Sequence, residues 1–200
     1  MGQDSDRKLA RNAIFLAEDR GLKTKGLKMI ITVGGLIGSG KTTVVKALAK
    51  KFKLKHVSAG EVFRSMAEER GLSLEELTKL AEKNHGLDKE VDEKQKKLAA
   101  SNVIVDGRLS GWLIDADLKI WLRAPLEVRA KRVAKRENKS FKQALKETEL
   151  REESEAKRYR EIYKIDITDM PPYNAVIDTS LWSAEEVVSI VAKMVSLLRK

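Results

Sequence analysis

The segment Gly35-Leu-Ile-Gly-Ser-Gly-Lys41-Thr42 matches the full spacing G-x-x-x-x-G-K-[ST], and no other eight residues constrain this chain as strongly. It follows the apolar run Met29 to Val33 and precedes Thr42 to Phe52, where Val44, Val45, Leu48 and Ala49 recur at helical spacing. A strand, a glycine-rich turn and a helix in that order make a cradle for phosphate. Glycine lets the turn wrap with its backbone N–H groups inward, because no Cβ intrudes and positive φ is open to it. The helix N-terminus adds positive potential. Lys41 has the reach for the β and γ phosphates of a nucleoside triphosphate, and the Thr42 hydroxyl suits a Mg²⁺ ion bridging them. Gly35, Leu36, Ile37, Gly38, Ser39, Gly40, Lys41, Thr42 and Thr43 are therefore the expected triphosphate-binding residues.

Further short β-branched runs lie at Lys55 to Ser58, Val103 to Val105, Leu118 to Leu122 and Ala175 to Ile177, with helical patterns between them. That alternation predicts an α/β fold around a five-stranded parallel sheet, in one domain spanning 29–200. Helix starts are marked by the capping boxes Ser73/Glu76 and Ser183/Glu186 and by Pro125. The final helix, with Val187, Val188, Ile190, Val191, Met194 and Leu198, is expected to pack into the core together with Trp182. Helical insertions are expected at 59–101 and at about 136–165. Residues 1–28, with seven basic and four acidic side chains, precede the first strand and read as a basic extension.

Several chemistries are excluded by composition. Without cysteine the chain forms no disulfide, thiolate zinc site or cysteine nucleophile, and two histidines, His56 and His85, cannot build a triple-histidine metal site. The longest apolar run, Met29 to Gly38, is far below the roughly 20 residues that span a bilayer, and no secretory signal pattern is present, so the expectation is a cytoplasmic protein with no membrane partner. The net charge of +10 predicts attraction to a polyanion without separating nucleic acid from a phosphorylated small molecule.

Position narrows that choice. A guanine-reading N-K-x-D is missing, since Asn138-Lys139 is followed by Ser140-Phe141, which argues against a molecular switch. Instead Ser58-Ala-Gly60-Glu-Val-Phe-Arg64 follows the second strand, and Asp106-Gly-Arg108-Leu-Ser110-Gly-Trp follows the third. In an open parallel sheet both strand ends face the ligand crevice. Asp106 is there a candidate, with Thr42, for orienting Mg²⁺. From Arg123 to Lys164 fourteen Lys or Arg face eight Glu, and Arg129, Arg132 and Arg136 share a helix face. Arg151, Glu155 and Arg158 fall within about 60° of one another on a helix, so they can converge on one ligand.

Across residues 29–200 these segments resemble the nucleoside monophosphate kinases, and among them the archaeal type of cytidylate kinase. The resemblance implies a three-layer α/β/α P-loop NTPase fold with a monophosphate-binding insertion at 59–101 and a short lid near 136–165. It implies that Arg64 and Arg108 bind the phosphate of the monophosphate, with Ser58, Gly60, Asp106 and Ser110 nearby. Arg151 and Arg158 would meet phosphate and Glu155 the ribose, while Arg129 and Arg132 resemble lid-base arginines that touch the ATP phosphates. The implied reaction carries the γ-phosphoryl group of ATP to CMP or dCMP, within pyrimidine nucleotide metabolism, in a monomer that does not require nucleic acid. One departure stands out. Bacterial cytidylate kinases resemble D-G-R-D where this chain has Leu109, so cytosine must be read by other groups, among them Ser58, Arg108, Ser110 or polar residues of the 59–101 insertion. Adenylate kinases resemble D-G-F/Y-P-R, and neither that aromatic nor that proline is present. A kinase for UMP, AMP or another small molecule, and a basic RNA-associated NTP-binding module, are the alternatives to be separated.

Overall fold

Each β-branched run becomes a strand in the computed structural model, which describes residues 29–198 apart from 85 and 171; the basic extension 1–28 lies outside the described residues. The strands are β1 (Ile30–Gly34), β2 (Lys55–Ser58), β3 (Val103–Asp106), β4 (Leu118–Arg123) and β5 (Ala175–Asp178). They form one parallel sheet in the order β2-β3-β1-β4-β5. In register, Val33 lies beside Asp106 and Ser58 beside the same Asp106, so three strand ends stop level with one another.

Alternation along the strands makes two faces. Ile31, Val33, Ile104, Ile120 and Leu122 join Val44, Val45, Leu48 and Phe52 of α1 (Lys41–Phe52) and Val187, Val191 and Val195 of α8 (Ala184–Leu198) in the main core. Val57, Val103 and Val105 instead pack with Ile114. Each fully buried aliphatic side chain here contributes about 1.5–3 kcal/mol relative to its exposed state. Trp182 and Leu198, expected in this core, are exposed at 47% and 49%. Trp182 stands in the turn after β5, and the buried stripe of α8 ends at Val195.

The expected insertion at 59–101 consists of three helices, α2 (Ala59–Glu69), α3 (Leu74–Lys83) and α4 (Gly86–Leu98). They gather around a small core of their own, including Val62, Met66, Leu77, Leu87 and Val91. Ser73 caps α3 with both halves of its box formed: Glu76 N–H donates to Ser73 Oγ at 3.2 Å and Ser73 N–H to the Glu76 carboxylate at 2.8 Å. The Ser183/Glu186 box forms likewise, at 3.2 and 2.9 Å. Such caps are each worth about 1 kcal/mol. After β3 comes the single turn α5 (Ser110–Leu113); β4 leads through Pro125 into α6 (Leu126–Glu137), and the 23-residue α7 (Phe141–Tyr163) follows. The stretch 136–165 is thus mostly one long helix. No helix among the described residues is long and apolar enough to cross a membrane.

Candidate active site

The glycine-rich turn closes as its composition requires. Gly35 has φ 144°, and a Cβ there would lie 2.3 Å from the Leu122 carbonyl oxygen; at Gly38, φ is 75° and a Cβ would lie 2.5 Å from the Arg129 carbonyl oxygen. Backbone cannot retreat from such a clash as a flexible side chain can, so both positions demand glycine. The loop is thereby seated on the end of β4 and the first turn of α6. Inside it, Lys41 Nζ donates to the carbonyls of Gly35 at 2.7 Å and Leu36 at 2.9 Å. Burial lowers Lys41 to about 8, with the Arg108 charge pushing the same way and Asp106 and Glu155 opposing. A lysine so placed gains from any anion that enters the loop.

Thr42 Oγ1 donates to Asp106 Oδ2 at 3.3 Å, joining the start of α1 to the end of β3. Asp106 is 5% exposed, and the nearest imidazole nitrogen, His56 Nε2, stands 3.9 Å from the same oxygen. A hydroxyl and a buried carboxylate are hard oxygen donors of the kind Mg²⁺ prefers, so this pair fits the ion that the loop motif implies.

Arg129 and Arg132 reach the loop from α6 and bond its backbone. Arg129 donates to the carbonyls of Ala124 at 2.9 Å and Ile37 at 3.1 Å and pairs with Glu152 of α7. Arg132 donates to Gly38 O at 3.2 Å and to Thr179 at Oγ1, 2.8 Å, and O, 2.7 Å. Thr179 Oγ1 in turn is 3.0 Å from Ser39 O and 3.2 Å from Arg123 O. A trans peptide sets N–H opposite to C=O, so holding the Ile37 carbonyl toward α6 turns the Gly38 N–H away from it. Arg136, third on the same helix face, pairs with Glu137 at the surface.

Beside the loop, beyond Asp106, a cavity of about 520 Å³ opens between the α2–α4 insertion and α7. Arg64, Arg108, Arg151 and Arg158 all line it, as do Gly60 and Glu155. The buried Glu155 carboxylate lies 2.6 Å from Arg108 Nε, without hydrogen-bond alignment, and 3.3 Å from Arg151 Nε. Burial works against the Arg108 charge, yet Glu155, with Tyr159 and Glu152, holds it above its usual value. Arg158 donates to Asp88 Oδ2 at 3.0 Å and to Ser154 Oγ at 2.8 Å. Tyr163 donates to the Asp92 carboxylate, which burial pushes up to about 6 against that hydrogen bond.

The structure therefore gathers Lys41, Thr42, Asp106, Arg64, Arg108, Arg151, Glu155 and Arg158 around one crevice. Of the expected neighbours Gly60 lines the cavity, Asp106 lies beside the loop, and two stand elsewhere. Ser110 is buried and its Oγ donates to Gly107 O at 2.8 Å, closing the turn after β3; Ser58 opens on a second cavity, of about 480 Å³, beside His56, Glu61 and Lys94. Thr43 is exposed on α1. The sequence reading passed over Thr179, whose role rests on contacts with residues far away in the chain. It also passed over Asp88, Asp92 and Gln95, although their i, i+4, i+7 spacing places three polar groups on one face of α4.

Residues 30–181 match the model of the cytidylate kinase-like family. A cytidylate kinase of Methanocaldococcus jannaschii is 49% identical over 178 residues, covering 86% of this chain and 100% of the relative; one of Pyrococcus abyssi is 52% identical over 165, covering 82% and 91%. Among solved structures, shikimate kinase from Bacteroides thetaiotaomicron superposes with a TM-score of 0.58 at 15% identity, covering 85% of this chain and 99% of the other. TT1252 from Thermus thermophilus does so at 0.55 and 20% identity, covering 86% and 98%. These two share the fold, a P-loop NTPase sheet flanked by helices. With its phosphate loop intact, its arginine-lined cavity beside that loop and about half of its aligned residues shared with such relatives, this chain belongs to the cytidylate kinase-like family.

Proposed function

We propose that the chain transfers the γ-phosphoryl group of ATP to CMP, and to dCMP, giving ADP and CDP or dCDP. One observation carries the reading: Asp106, bonded to Thr42 of the loop, and Arg108, on the cavity wall, are two residues apart at one strand end. Donor and acceptor sites thus adjoin. In the transfer an oxygen of the CMP phosphate bonds to the γ phosphorus as the bond to the leaving ADP oxygen breaks. That acceptor has a second pKa of about 6 and is largely ionised at neutral pH, so no general base is needed.

The protein's work is then positioning and charge compensation. Lys41 leaves its loop carbonyls for the triphosphate, cradled by the backbone of Gly35 to Thr43. Arg64 and Arg108 hold the monophosphate in line, with Arg151 and Arg158 adding charge at the cavity rim and Glu155 accepting from the ribose. Arg129 and Arg132 act on the donor side, pinning the loop and lending it positive potential. Thr42 and Asp106 would hold Mg²⁺, which would supply neutralisation of phosphate charge. The reading is of a monomer acting on small molecules in the cytoplasm, with residues of one chain lining both sites.

The test is ADP formation from ATP and Mg²⁺ with CMP, dCMP, UMP, AMP and GMP supplied separately beside a no-acceptor control. Turnover led by CMP or dCMP is expected. A lead by AMP, or equal rates with no acceptor, overturns the reading.

A further inference from the structure

The cavity that receives the monophosphate on this reading has two walls of opposite character. Arginines line one. The other is α4, whose Asp88, Asp92 and Gln95 occupy one helix face. Three of the four cavity carboxylates are neutralised by cations: Glu155 by Arg108 and Arg151, Asp88 by Arg158, Glu147 by Lys139. Asp92 has no cation within ion-pair distance among the described residues. One of its oxygens accepts from Tyr163, and the other is left as an acceptor on the cavity wall.

Gln95 lies one turn further along α4 and is 2% exposed. Its Nε2 donates to the Asp106 carbonyl at 3.0 Å. A carbonyl only accepts, so this bond fixes the orientation of the amide and leaves Oε1 as the second end. Gly107 makes room for it, since a Cβ there would lie 3.0–3.1 Å from the amide. Oε1 has no partner among the described residues. Positions three apart on a helix are neighbours, so the cavity carries two adjacent acceptors that lack donors. Both residues line the cavity, so a ligand group that brings two N–H bonds can meet both acceptors.

We infer that Asp92 and Gln95 read the base of the monophosphate by accepting the two N–H bonds of the exocyclic amine of cytosine. Uracil presents a carbonyl oxygen at that position and meets two acceptors, an arrangement that rejects it. This places the base-reading function on α4, in the absence of an acid at Leu109. It rests on the CMP reading above.

The experiment measures kcat/KM for CMP, for UMP and for the monophosphate of the pyrimidin-2-one riboside, which lacks only the amine, with the native chain and with Asp92→Asn. Asparagine keeps an oxygen for Tyr163 and turns an NH₂ donor toward the base. The native chain should prefer CMP and lose about 10–100-fold on the amine-free analogue. Asp92→Asn should lose about as much on CMP, lose nothing further on the analogue, and shift the CMP:UMP ratio toward UMP by about tenfold or more, with KM for ATP unchanged. An unchanged ratio in a variant that melts like the native chain overturns the inference. So does a native chain that uses the analogue as well as CMP, a comparison that stands even if the variant fails to fold. Acceptor-dependent turnover with no use of CMP at all would overturn the CMP reading itself, and is distinguished by the native chain alone.

Discussion

Lys41 concentrates the electrostatics of the donor site. Burial holds it near 8, so it is charged at neutral pH and loses its proton above about 8. On the proposed function, ATP binding needs the charged form. Affinity is therefore full below pH 8 and weakens as pH rises through it, and binding at pH 8–9 takes up a proton. Stability runs the other way: an unfolded lysine titrates near 10.4, so between 8 and 10.4 the unfolded chain holds more protons and this group's contribution to stability rises with pH. Weaker binding at pH 9 would then not come from a loss of this group's contribution to stability. Calorimetry of ATP binding at pH 7 and 9, in buffers of different ionisation enthalpy, should show the proton uptake in the native chain and none in Lys41→Ala. Identical pH profiles for the two would remove Lys41 from the triphosphate site. At this scale the shape of the loop was legible, because the motif is contiguous and the steric demand at Gly35 and Gly38 is local.

At the scale of elements, the loop is held from outside by the first turns of α6 and by the end of β5. Thr179 links these parts through Ser39 O, Arg123 O and Arg132. Thr179→Val removes a hydroxyl from buried partners, at a cost of about 1–3 kcal/mol. The expected outcome is a KM for ATP raised several-fold with KM for CMP unchanged, and recovery in Thr179→Ser. An equal rise in both KM values would make Thr179 a general stability residue. Strand runs, capping boxes and the helix after Pro125 were all readable because each follows from local periodicity or a three-residue spacing. Tertiary choices were not. Ser110 sits two residues from Arg108 in sequence, yet its hydroxyl closes its own turn; Trp182 is apolar, yet it stands in an exposed turn. Arg129 and Arg132, expected to touch the ATP phosphates, bond the carbonyls of the loop, a geometry no spacing rule reports.

For the whole molecule, the parallel sheet levels the ends of β1, β2 and β3, and the small core within α2–α4 faces α7 and Leu109 across the arginine-lined cavity. Part of the +10 charge is thereby placed where phosphates would gather. The family relationship and this arrangement converge on one central claim, that phosphate moves from the loop to a monophosphate in the adjoining cavity. The direct measurement is to follow label from the γ position of ATP, with Mg²⁺ and CMP, in the full chain. The account predicts that label appears in CDP in step with ADP formation, and that Lys41→Ala slows this by orders of magnitude while remaining folded. Label released as inorganic phosphate, at a rate indifferent to CMP, would contradict it.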